Sequence, residues 1–189
     1  METRYTAIAY GSWLALVLVW LPGYFASKRN ASMRSPALQL QATALLVICF
    51  LLLFNPHLSG LDRQVTPRSG MLGMAGLVLD LAGVGFAIWA RLVLGRNWSG
   101  MVMTVKEGHE LVQSGPYALL RHPIYTGLIS AVLGTALTLG TLASYLGVAA
   151  GLAALVIRVG VEERLMSEQF GANHAAYRQR TKKLIPFLW

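Results

Sequence analysis

One stretch limits the folds open to this chain more than any other. From residue 123 to residue 157, a run of 35 residues, there is no Asp, Glu, Lys or Arg. As a single helix it would be about 52 Å long at 1.5 Å per residue. The hydrocarbon core of a bilayer is only about 30 Å thick. A hairpin of two spans fits where one straight span does not, with the turn near LGTLASYLG. The first arm is then residues 123–139 and the second starts near residue 144. Three further apolar runs precede it, at residues 5–26, 37–54 and 71–94, the last holding one acid, Asp80. Lipid offers no water to backbone N–H and C=O groups, so each run is expected to be helical. The sequence predicts an all-α integral membrane protein with five transmembrane helices, a C-terminal helical hairpin and an amphipathic cytosolic tail. Composition agrees: 13% of residues are charged, against about 25% in soluble domains, and the mean hydropathy is +0.53.

The 16 Lys and Arg residues fall unevenly around these runs. Five spans place Arg4, Arg63 and Arg68 on one side and all the others on the opposite side, Lys28, Arg29, Arg121 and Lys182 among them. The positive-inside rule then puts the C-terminus in the cytosol and the N-terminus outside, in the inner membrane if the cell is bacterial. The first run reads as a retained anchor, because the basic Lys28-Arg29 pair follows it and no A-x-A site lies between it and the next run. A net charge of +8 suits anionic headgroups better than nucleic acid, since no aromatic and basic residues interleave on a solvated face. The lone cysteine, Cys49, excludes an internal disulfide and a CxxC site and is expected to pack inertly. Four scattered histidines give no metal-ligand spacing, and neither a P-loop nor a dinucleotide fingerprint occurs. Gly147 and Gly151 form a GxxxG expected to mark close helix packing.

A tight hairpin brings GPYALLRHPIYTG opposite RVGVEERLMSEQFGANHAAY. Pro123 suits a first helical position, and the free N–H groups of that turn, with Arg121 beside them, make an anion site. Glu162 and Glu163 are acceptors for hydroxyls or an ammonium. Tyr117, Tyr125 and Tyr177 offer aromatic surface for a purine or a cation. Plainer roles exist for each. Arg121 and His122 also serve as topology flanks, Glu162 also pairs with Arg158 at i,i+4 while Glu163 is solvated, the tyrosines also form an interface belt, and His109 and His174 read as surface residues. Asp80, deep in its span, is expected to be protonated or bonded to a neighbouring helix. The glycines around it, Gly73, Gly76, Gly83 and Gly85, signal tight packing or room for a substrate.

The segments NWSG (97–100), HELVQSGPYALLRHPIYTG (109–127) and EERLMSEQFG (162–171), with Tyr177 and Pro186, resemble the isoprenylcysteine carboxyl methyltransferase family. That family in turn looks similar to phospholipid methyltransferases in its C-terminal half. The resemblance implies a membrane enzyme using S-adenosylmethionine. It makes residues 95–189 the cofactor-binding half and leaves residues 1–94, three spans without a matching motif, to shape the acceptor side. Carried over by position, the cofactor residues are His109, Leu111, Val112, Gly115, Tyr117, Arg121, His122, Tyr125, Glu162 and Glu163. Arg121, Glu163, Arg158 and Asn97 are the candidate catalytic residues, with Asn97 and Trp98 at the acceptor entrance and Arg91, Arg158 or Arg164 as the cation for a carboxylate acceptor. No metal is expected. His174 stands where the family often has tyrosine. The acceptor is expected to be small or lipid-like: a prenylcysteine-like carboxylate, or a thiol or amine. A membrane NADPH-dependent reductase of the sterol type, which shares the RHPxY lip, and a non-enzymatic helix bundle are the alternatives.

Overall fold

The structure is a computed structural model of the chain. It describes residues 2–25, 30–33, 36–55, 58, 60–98, 104–106 and 110–185, with backbone alone at 2–3, 23–25, 30–33 and 104–106. Five α-helices follow one another: α1 (Glu2–Phe25), α2 (Pro36–Phe54), α3 (Gly70–Leu94), α4 (Pro123–Leu139) and α5 (Leu142–Arg180). Four of them contain stretches long and apolar enough to cross a membrane, and α4, at 17 residues, is shorter. The helical class holds with one correction. Strands β1 (Asn30–Met33) and β2 (Thr104–Lys106) pair antiparallel, joining two polar connections. Segments of four and three residues carry too little apolar alternation to be seen in sequence.

The helices keep apolar side chains on their outward faces. Leu14 and Val78 are each 61% exposed and Leu92 is 65% exposed, as suits a bundle bathed in lipid. Burial therefore falls on small residues. α3 and α4 lie antiparallel along a glycine seam. A Cβ at Gly83 would stand 2.5 Å from Ala131 N, and one at Gly134 would stand 2.3 Å from Asp80 N. With no room for a Cβ on either side, the two backbones touch, which is how membrane helices gain dispersion contact. α2 and α5 pack similarly, Gly147 against the Cys49 carbonyl and Gly151 against its Sγ. The GxxxG and Cys49 thus serve packing.

Asp80 is fully buried and tied to both neighbouring helices. Ser12 Oγ of α1 donates to its Oδ2 at 2.6 Å, and Thr135 Oγ1 of α4 donates to its Oδ1 at 2.8 Å. Trp13 Nε1 completes the chain by donating to Thr135 Oγ1 at 2.9 Å.

The α4–α5 turn is fastened from outside the bundle. Gly140 takes a left-handed conformation (φ 67°), and its carbonyl accepts from Val65 and Thr66 N–H at 2.8 and 3.2 Å. Leu142 and Ala143 donate back to Arg63 and Leu61, each at 2.9 Å. At the other end α5 bends at Gly171 (φ 47°, ψ −119°). The chain beyond it returns to the start of α4, where Arg121 N–H bonds the Lys182 carbonyl at 2.8 Å and His122 N–H that of Lys183 at 3.1 Å.

Candidate functional site

That return builds the site. Glu163 and Arg178 are 15 positions apart, about 22 Å along a straight helix, yet Arg178 Nε lies 3.5 Å from Glu163 Oε2. The bend at Gly171 makes this contact possible. It also brings Tyr177 back to residue 117, where its hydroxyl donates to the Tyr117 carbonyl at 2.6 Å.

Six side chains and one backbone carbonyl, from three segments, interlock here. Arg121 Nε bonds Glu163 Oε1 at 2.8 Å, and its Nη1 donates to the Thr181 carbonyl at 2.6 Å. His122 Nε2 shares the same Glu163 oxygen at 3.0 Å, while its Nδ1 lies 3.5 Å from Glu162 Oε2. Tyr125 donates its hydroxyl to Glu162 Oε1 and accepts from Arg158 Nε at 3.1 Å. Glu163 Oε1 takes two donors, whereas buried Oε2 has no hydrogen bond among the described residues. Burial pulls the His122 imidazole down, but hydrogen bonds and charge from Glu162 and Glu163 outweigh it and hold the group above the ordinary histidine value. Burial, reinforced by the Glu162 charge, keeps the Tyr117 phenol well above its ordinary value and so neutral.

These groups border a cavity of about 120 Å³. Of the residues predicted from sequence, Asn97, Leu111, Val112, Tyr117, Arg121, His122, Tyr125, Glu162 and Glu163 line it. His109, Ser99, Gly100 and Pro186 lie outside the described residues. Gly115 does not line the cavity. It holds φ 57° at the turn that delivers Tyr117, and a Cβ there would meet Val93 at 3.2 Å. Arg158 is reached through Tyr125 and borders a second cavity instead. Two plainer expectations are corrected: Glu163 is largely covered, its side chain 11% exposed, rather than solvated, and His174 is buried with Nδ1 3.0 Å from Ser167 Oγ, lining the cavity. Sequence reasoning missed Met166, which lies on the Glu162–Glu163 face at i+4 and i+3, and the Arg178 and Thr181 contacts, which only the bend supplies.

The second cavity, about 760 Å³, is overwhelmingly apolar and runs between α1, α2, α4 and α5. Trp98, Ile124 and Tyr125 border both cavities. Trp98 also carries Arg91 over its face at 4.3 Å and packs on Trp20 at 5.3 Å.

The donor set fits a nucleoside with an amino-acid tail. Carboxylate oxygens, one of them without a hydrogen bond, face an aromatic and aliphatic wall, with guanidinium groups alongside. The cavity is smaller than the roughly 300 Å³ at which ligand pockets begin, since side chains pair across it.

Fold and site together define a membrane-embedded helical protein whose polar pocket, at the end of a helical hairpin, adjoins an apolar chamber. The chain belongs to the phospholipid methyltransferase family, whose model matches residues 72–173, more than half of its length. A cobalt–zinc–cadmium resistance protein of Cupriavidus metallidurans is 34% identical over 119 residues, covering 59% of this chain and 50% of that one. The protein-S-isoprenylcysteine O-methyltransferase of Xenopus laevis is 30% identical over 128 residues, covering 67% of this chain and 43% of that one. The chain thus spans about half the length of the curated relatives it matches. Among solved structures, a eukaryotic intramembrane Ras methyltransferase, an isoprenylcysteine carboxyl methyltransferase, superposes with a TM-score of 0.57 at 26% identity, over 95% of this chain and 62% of that one. The resemblance read from the segments between residues 97 and 186 therefore extends to most of the fold.

Proposed function

We propose that this protein transfers a methyl group from S-adenosylmethionine to an acceptor carrying an apolar tail. The observation that carries the reading is the junction of the two cavities: a polar pocket chemically suited to the cofactor shares Trp98, Ile124 and Tyr125 with an apolar chamber suited to a lipid-like chain. Relatives named as O-methyltransferases support the same reaction and favour a carboxylate acceptor of the prenylcysteine type.

When bound, the cofactor supplies a sulfonium methyl group that is already electrophilic, so the chain need not provide a nucleophile. Its residues bind, orient and keep water out. Glu163, whose Oε2 faces Arg178 at 3.5 Å without a hydrogen bond, and Glu162 would hold hydroxyls or the ammonium. Arg121 would hold the ligand carboxylate, and Tyr117, Leu111, Val112 and Met166 would flank the base. Arg158, held against Tyr125 where the cavities meet, orients a carboxylate acceptor, which is ionised at neutral pH and needs no base. A thiol or amine acceptor would need a proton removed.

In this reading α4 is a fifth crossing. Its 17 residues span about 26 Å, close to the hydrocarbon thickness of about 30 Å, with Arg121 and His122 at the cytosolic lip. The Lys and Arg distribution supports a cytosolic C-terminus and an external N-terminus.

The test is calorimetric titration of the purified protein with S-adenosylhomocysteine, with NADPH in a parallel cell. Heat from the first and none from the second, lost in Glu163→Ala, is the expected outcome. NADPH binding alone would replace this reading with the reductase, and binding of neither would remove enzymatic function of both kinds.

A further inference from the structure

The apolar chamber differs from one end to the other. Its polar-pocket end is marked by Trp98, Tyr125 and Arg158, and its far end by Tyr10, Trp13, Phe50 and Phe54. These four rings form one cluster. Trp13 meets Phe50 edge-on at 5.3 Å and Phe54 at 6.4 Å, Phe50 stacks with Phe54 at 6.0 Å, and Tyr10 lies 4.8 Å from Phe54. Rings in such contact are held by several neighbours at once, and here two of them are also pinned by hydrogen bonds. Tyr10 donates to the Leu53 carbonyl at 2.9 Å. Trp13 donates to Thr135, which donates to Asp80, itself bonded to Ser12 of α1. The buried acid, otherwise without a part in the site, is thus linked through Thr135 to the indole at this end of the chamber.

We infer that this aromatic cluster is the floor of the acceptor chamber and sets the longest chain the protein accepts, with Asp80 acting as a positioning residue through Thr135 and Trp13. The inference rests on the proposed apolar-tailed acceptor. Continuity with the polar pocket commits the chamber to that tail. Thr135, where Trp13 is anchored, is ten residues from Tyr125 along α4, which gives a depth of about 15 Å. A chain longer than this meets the rings, and each methylene that does not fit costs roughly tenfold or more in specificity.

Purified protein in lipid nanodiscs is titrated with S-alkyl-N-acetylcysteines of increasing chain length carrying a terminal bromine, and quenching of tryptophan fluorescence reports binding. Wild type is expected to show a length cut-off. Trp13→Ala should raise the long-to-short binding ratio by about tenfold or more, and Leu152→Trp, higher in the chamber, should lower it by a similar factor. Asp80→Leu should blur the cut-off and Asp80→Asn restore it. Val78→Ala, on the lipid face of α3, should leave the ratio alone. A wild-type cut-off that neither Trp13→Ala nor Leu152→Trp moves overturns the floor while leaving the acceptor reading intact. Binding by wild type without length preference means a bulk lipid chain fills the chamber and overturns the inference. No binding of any chain overturns the apolar-tailed acceptor and the floor together.

Discussion

Two clusters of buried polar groups stand in this bundle, and they are built differently. Around Asp80, every group is neutral apart from the acid, both carboxyl oxygens accept hydroxyl donors, and no described residue forms a salt bridge with it. Around Glu162 and Glu163, two carboxylates face three guanidinium groups and an imidazole, one oxygen is doubly bonded and its twin has no hydrogen bond. A saturated cluster has nothing left to offer a ligand and contributes order. An unevenly bonded one holds charge that is incompletely compensated, which is expensive at a membrane edge and persists where it is used. Capacity left over, more than burial or charge alone, distinguishes the candidate site from the Asp80 cluster.

The largest effect that tests this contrast is loss of ligand binding at the uneven cluster. Glu163→Ala removes the acceptor, leaving Arg121 without its carboxylate partner and His122 with Glu162 alone. Truncating one partner of a buried, hydrogen-bonded charge pair costs about 2–5 kcal/mol, so S-adenosylhomocysteine affinity should fall by about a hundredfold or more by calorimetry. Retained affinity would assign this cluster to structure and leave the contrast without meaning. Next in size is the seam beside Asp80. At Gly134 an added Cβ would meet backbone atoms of Asp80 that cannot turn away. Overpacking of this kind costs about 1–3 kcal/mol. Gly134→Ala should therefore lower the thermal midpoint in detergent without selectively weakening cofactor affinity in the fraction that stays folded. A cofactor-specific loss with an unchanged midpoint would sink the division between the two clusters.

Much of the fold was legible because span length is written in uncharged runs. Residues 123–157 had to double back, and α4 runs over the expected 123–139 while α5 begins two residues earlier than expected. The glycines near Asp80 carried the signal for the α3–α4 seam, and the structure resolves packing rather than open space at Gly76 and Gly83. In the site, RHPIYTG and the Glu162-Glu163 pair were legible because charge beside an apolar run calls for a reason. The partners that complete them were not. The Thr181 carbonyl that receives Arg121 has no side-chain signature, and Arg178 reaches Glu163 only because Gly171 turns the helix. The apolar chamber was invisible for another reason: it is a gap between helices, lined by residues that packing would use equally well.

The smallest expected effect lies in the pH dependence of the uneven cluster. His122 is raised above its ordinary value because Glu162 and Glu163 favour the imidazolium more than burial opposes it. The folded state therefore binds this proton more tightly than the unfolded state does. The resulting stability is complete below the ordinary histidine value of about 6.5 and is lost as pH rises through the folded value. Across the neutral range the thermal midpoint of wild type should decline with rising pH. In His122→Gln, which keeps a hydrogen-bonding side chain without the titration, that slope should flatten although the midpoint itself drops. Parallel profiles for the two proteins would mean that the imidazole does not gain a proton on folding, and that its contacts with both carboxylates are of the saturated, neutral kind found at Asp80.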